Sequence, residues 1–295
     1  MVTVDTNTFP SHDGLSLAID VRGEGPPTLL FAHGFGQTRG AWNGAATTLA
    51  AAGCRCVSFD SRGHGESGRV ASGDYHIEQF AGDLHALALA QPEPPILVGA
   101  SMGGLLGLVL AGEVRPAPFR ALVLVDITPR WEAAGVERIL AFMQAHPDGF
   151  ADYAEAAGQI AAYLPQRRER KRADQLRPLL REGADGRLRW HWDPALLEGV
   201  VRESERYQPR LLEAASRVDV PVLLLSGERS DVVSRDTVAE FLKLVPHARH
   251  VEVPGATHML AGDANDAFTR QIAAFIQDVS PDGAVRWPTI PQEVP

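Results

Sequence analysis

Cysteine is nearly missing from this chain: two in 295 residues, Cys54 and Cys56. Two apart in an expected strand, they share a face but are poorly placed to bridge, so buried free thiols are expected and a disulfide scaffold is excluded. With so few cysteines and with histidines scattered, no metal-ligand spacing is present, and no metal or cofactor is expected. No apolar run approaches the ~20 residues that span a bilayer. The opening Met1-Val2-Thr3-Val4-Asp5 has no basic region followed by an apolar stretch, so a cytoplasmic location is expected. Basic charge is also short: the formal net charge is −9, which argues against nucleic acid or an anionic membrane as partner.

What is present is an alternation of strand and helix signals. Residues 3–9 and 15–22 alternate loosely around the turn Ser11-His12-Asp13-Gly14, which predicts a leading antiparallel hairpin. Continuous apolar strands are expected at Thr28–His33, Cys54–Asp60, Ile96–Val98, Phe119–Ile127, Val220–Ser226 and His250–Val253. Helices are expected at Trp42–Ala52, Ile77–Ala90, Ser234–Val245 and Asp263–Asp278; in the second, Ile77, Phe80, Ala81, Leu84, Leu87 and Ala88 share one face. This order predicts an α/β fold with a parallel sheet covered on both faces. Between Thr128 and about Val218 no strand-like run appears, so a helical cap inserted over the strand ends is expected. The core is then 1–127 with 219–279, the cap 128–218, and 280–295 an extended tail.

The chain is organised around Gly99-Ala100-Ser101-Met102-Gly103, which joins an apolar strand directly to a helical pattern. Strand, G-x-S-x-G and helix together make a turn that lifts a serine hydroxyl above the sheet edge. A serine needs a base to take its proton and a third group to orient that base. On such a sheet these arrive in the order Ser, acid, His. Asp231 follows strand Val220–Ser226 and His258 follows strand His250–Val253, so both hang from carboxyl-end loops on the rim that carries Ser101.

With these residues the chain resembles the α/β-hydrolase superfamily, in particular its cap-bearing esterases, lactonases, C–C bond hydrolases and cofactor-free haloperoxidases. The likeness covers residues 15–279. It rests on His33-Gly34-Phe35-Gly36, Asp60-Ser61-Arg62-Gly63-His64-Gly65-Glu66-Ser67, the serine turn, the loop bearing Asp231, and Gly255-Ala256-Thr257-His258. The resemblance implies a mostly parallel eight-stranded sheet with a helical cap after the sixth strand. It further implies Ser101 as nucleophile, His258 as base then acid, Asp231 as orienting carboxylate, and an oxyanion hole from the N–H groups of Phe35 and Met102. The expected reaction is cleavage of a small carboxylic ester or lactone through an acyl-enzyme. C–C bond, amide or perhydrolytic chemistry on the same triad is the alternative, and a ligand-binding protein without catalysis a further one.

Rivals for these roles exist. Asp126 also ends a strand, and some relatives take their acid there; Asp231 is preferred because its loop follows the last strand but one. Glu228 reads as a solvated loop charge, His247 and His250 as structural, and His33 as a buried residue shaping its loop. Asp60, Arg62 and His64 read as loop scaffolding. Substrate contacts are expected from Arg39 and Arg130, by loop position, and from Trp131, Trp190 and Trp192. His191, between two tryptophans, is a candidate contact or part of a small cap core. The run Arg167–Arg172 reads as a solvated face. The sequence sets no quaternary state.

Overall fold

The computed structural model describes residues 2–163, 172–258 and 265–280, and within these the side chains of all but 200–205, 265 and 266. The basic run from Arg167, save Arg172, and the tail beyond Ser280 lie outside the described residues.

Strands β1 (Asp5–Pro10) and β2 (Ser16–Arg22) form the antiparallel hairpin. Its turn is closed by the Ser11 N–H on Leu15 O at 2.8 Å and by the Ser11 hydroxyl on Asp13 at 2.6 Å. Then follow β3 (Thr28–Ala32), α1 (Asn43–Ala51), β4 (Arg55–Phe59), α2 (Ile77–Leu89), β5 (Ile96–Ala100), α3 (Met102–Glu113) and β6 (Ala121–Val125). After the intervening segment come β9 (Val222–Gly227), α8 (Arg235–Leu244), β10 (Arg249–Val253) and α9 (Asn265–Val279). The eight strands stand in the order β1-β2-β4-β3-β5-β6-β9-β10, parallel from β4 onward.

The continuous apolar strands are explained by the two layers they separate. Alternate side chains of a strand point to opposite faces. Leu30, Leu97, Leu122 and Leu224 therefore join Leu84, Leu87, Leu108 and Phe241 on one face, while Phe31, Val98, Val123 and Leu225 join Leu49, Phe268, Ile272 and Ile276 on the other. Both cysteines are buried free thiols, and burial pushes Cys54 up to about 11.

The segment between β6 and β9 departs from the purely helical expectation. It contains α4 (Ala133–Gln144), α5 (Tyr153–Tyr163), the single turn α6 (Ala173–Leu176), and α7 (Ala195–Ser216), but also a two-stranded antiparallel ladder of β7 (Leu180–Glu182) and β8 (Leu188–Trp190). Each strand has three residues, with Arg181, Glu182 and Arg189 among them, so neither makes an apolar run. The ladder and α5 enclose a small core of their own around Phe150, Ile160, Leu176 and Leu188. The end of α7 already lies against the main sheet's helices: a Cβ on Gly112 of α3 would sit 2.1 Å from the Ala214 carbonyl oxygen.

Candidate active site

The chain leaves β5 and enters α3 within one residue. Ser101 makes the turn with φ 47° and ψ −118°, a conformation that non-glycine residues rarely adopt. Its amide is held by Val125 O at 3.1 Å, and its carbonyl accepts the N–H groups of Gly104 and Leu105. Such a bend requires backbones to approach closely. A Cβ on Gly99 would lie 2.6 Å from Gly103 O, and one on Gly103 would lie 2.3 Å from Ala32 O. The motif glycines are therefore places where no side chain fits.

His258, in the loop after β10, directs its Nδ1 at Asp126 Oδ2 across 2.8 Å. Asp126 follows β6 directly and is fully buried, with φ 50°. Its Oδ1 accepts the Gly227 N–H at 2.7 Å, and its Oδ2 also accepts the Ser230 hydroxyl at 2.5 Å. Three donors, two from the end of β9 and its loop and one from the loop after β10, thus satisfy one buried carboxylate, as burial of charge demands. A ring that donates from Nδ1 presents Nε2 as an acceptor.

The structure places the expected acid, Asp231, elsewhere: the carboxylate bonded to His258 is that of Asp126. The Ser230 hydroxyl accepts the N–H groups of Val232 and Val233, so it folds the loop on itself while donating inward to Asp126. Asp231 pairs instead with Arg138 of α4 at a cavity that both line. The histidine is served by the aspartate after β6.

Phe35 sits between two pinned glycines. The Gly34 N–H donates to Gln37 Oε1 at 3.2 Å, and the Gly36 N–H donates to His64 Nε2 at 3.1 Å. The Gly36 carbonyl lies 3.1 Å from His191 Nε2. Among the described residues, no backbone hydrogen bond of the loop uses the Phe35 N–H. Met102 is the first residue of α3, so its N–H has no intrahelical acceptor.

Three buried histidines underlie this loop, each with one nitrogen accepting a backbone N–H and the other facing a carbonyl. His33 accepts from Ser61 and donates to Gly34 O. His64 accepts from Gly36 and donates to Arg62 O. His191 accepts from Gly65 at 2.9 Å and donates to Gly36 O. A second proton would strand a donor against a donor. Burial pushes all three below the usual histidine range, His191 to about 3.

Two cavities meet at the serine and histidine, both of which line each of them together with Phe35 and Ile139. The first, about 190 Å³, is walled mainly by apolar groups, among them Phe80, Met102, Leu105, Trp131 and Leu196. The second, about 150 Å³, contains Phe142, Tyr163, Trp190, Trp192 and Arg138. Trp131, Trp190 and Trp192 are therefore at the site; the last two stack with ring centroids 4.7 Å apart. Arg39 and Arg130 are not. Arg39 is claimed by Asp20, Asp60 and Glu66, and Arg130 pairs with Glu240 at 2.8 Å. Arg138, unremarked in the sequence, lines the second cavity; its only sequence signal is a place on a helix of the inserted segment.

A mostly parallel sheet between helical layers, with polar loops and paired cavities at its strands' carboxyl ends, defines an α/β hydrolase. Residues 27–264 match the family model described as alpha/beta hydrolase fold, and the chain belongs to that family. Among curated relatives, a 3-hydroxybutyrate-oligomer hydrolase of Cupriavidus necator is 31% identical over 250 residues, 79% of this chain and 83% of its own. A 2-(acetamidomethylene)succinate hydrolase of Mesorhizobium japonicum is 29% identical over 268 residues, 89% of this chain and 92% of its own. Among solved structures, E-2-(acetamidomethylene)succinate hydrolase superposes with a TM-score of 0.80 at 26% identity, covering 93% of this chain and 100% of that one. The protein is accordingly a hydrolase. No helix among the described residues is long and apolar enough to cross a membrane.

Proposed function

We propose that the protein is a serine hydrolase that cleaves carboxylic esters or lactones through an acyl-enzyme. The observation that carries this reading is the His258–Asp126 bond of 2.8 Å, with Ser101 and His258 lining the same two cavities. Ser101 Oγ attacks the carbonyl carbon as His258 Nε2 takes its proton, and Asp126 stabilises the imidazolium through Nδ1–H. The N–H groups of Phe35 and Met102 receive the oxyanion, each contributing roughly 3 kcal/mol. The imidazolium then protonates the departing alcohol. Water, deprotonated by the same nitrogen, releases the acid and restores Ser101.

The apolar wall of the larger cavity suits a short or medium hydrocarbon chain better than a second charged group. The relative that acts on 3-hydroxybutyrate oligomers supports an ester as the bond cleaved. Wild-type protein is expected to hydrolyse 4-nitrophenyl butyrate and to form a fluorophosphonate adduct that maps to Ser101. Ser101→Ala is expected to lose both. Undiminished turnover in that variant, or an adduct on another residue, refutes the assignment.

A further inference from the structure

The second cavity holds a cation for which the proposed reaction has no use. Arg138 lines it alongside Ser101, His258, Trp190 and Asp231. Its Nη2 donates to Asp231, and its guanidinium lies over the Tyr163 ring, 5.0 Å from the centroid. No other hydrogen bond is made by Arg138 among the described residues. A guanidinium carries five N–H donors in a planar fork, and Asp231 engages one end of it. The ring beneath attracts the guanidinium to this place at the cavity wall, and the donors that Asp231 does not engage can serve a planar anion.

Among the described residues, no lysine or other arginine lines either cavity. The first is walled for hydrocarbon, the second has one fork-shaped cation, and the serine lies where they meet. We propose that the enzyme prefers substrates carrying a carboxylate on the side of the scissile bond that occupies the second cavity, with Arg138 binding that carboxylate and Asp231 moderating the attraction. This deepens the serine-hydrolase reading and rests on it. Arg138 touches no reacting atom in this scheme, so it is a specificity residue.

The discriminating feature is that the two members of the ion pair should act with opposite sign. Removing the guanidinium removes the attraction for the carboxylate. Removing the Asp231 charge leaves the guanidinium free to act on substrate alone. A pair that merely tied α4 to the loop after β9 would shift every substrate in the same sense when either half was lost.

The test uses two substrate pairs followed by pH-stat. 4-nitrophenyl hydrogen glutarate against 4-nitrophenyl valerate puts the carboxylate on the acyl side, and 3-butyryloxybutyrate against sec-butyl butyrate puts it on the leaving side. For one pair, the ratio of kcat/KM, charged over neutral, is expected to fall about tenfold to a hundredfold in Arg138→Met, as for loss of a charged hydrogen bond. Arg138→Lys should give an intermediate ratio, mostly through KM, and Asp231→Asn should raise it. Ratios unchanged for both pairs in all three variants, or moved the same way by Arg138→Met and Asp231→Asn, overturn the proposal. Failure of the serine-hydrolase reading would look different: Ser101→Ala would then leave the neutral esters' turnover intact.

Discussion

The three buried histidines make the stability of this protein depend on pH in a range where most proteins are indifferent to it. His33, His64 and His191 are each held below the usual histidine range by burial, and each already uses one nitrogen as an acceptor. In the unfolded chain the same residues titrate near 6.5. Below that value the unfolded state binds protons that the folded state refuses. Stability is therefore fully present above pH 6.5 and declines as pH falls toward the lowered folded values, by about 1.4 kcal/mol per pH unit per histidine once unfolded protonation is complete. At pH 5 the loss is roughly 2 kcal/mol for His191, held at about 3, against a typical total of about 5–15 kcal/mol, and His33 and His64 act in the same direction. Carboxylates contribute little in this window, because their unfolded values lie near 4. Urea denaturation followed by circular dichroism at half-unit steps from pH 8 to 5 measures the slope directly. His191→Asn keeps an acceptor for the Gly65 N–H and has no titrating ring, so its slope should be shallower than that of the wild type. A wild-type stability that is flat between pH 6.5 and 5 refutes the reasoning.

Two further outcomes follow from packing and buried charge. Gly103→Ala would place a methyl group 2.3 Å from the Ala32 carbonyl, so a loss of about 1–3 kcal/mol in urea denaturation is predicted; an unshifted midpoint contradicts that close approach. Arg62 is fully buried and donates to both oxygens of Asp83 and both of Asp13. Arg62→Met leaves the buried Asp83 with His12 as its remaining partner among the described residues and should lower stability by about 3–5 kcal/mol, whereas a loss under 1 kcal/mol would mean the guanidinium is dispensable.

Features set by local chemistry were legible in the sequence. The apolar runs Thr28–His33 and Ile96–Val98 were readable as the strands observed at Thr28–Ala32 and Ile96–Ala100 because helices cover both sides of them, and the serine turn read as a turn because its glycines leave no room for side chains. Which aspartate meets His258 was not legible. Asp126 and Asp231 both follow strands, and what separates them is the Ser230 hydroxyl turning inward, a contact between residues 104 positions apart. Arg39 had a loop position suited to substrate, but three carboxylates on β2 and in the loops after β4 claim it. His191 stood between two tryptophans and could be read as a contact, yet it reaches back to Gly36, 155 positions earlier, and serves the loop instead. In each case a partner distant in the chain decided the role.

The account turns on Asp126 serving His258, and parallel kinetics of Asp126→Asn and Asp231→Asn on 4-nitrophenyl butyrate test this most directly. Asp126→Asn should lower kcat by ~10⁴, as loss of the orienting carboxylate does, with a decrease at least ~100-fold smaller for Asp231→Asn. The reverse order, a near-normal Asp126→Asn beside a collapsed Asp231→Asn, would contradict it.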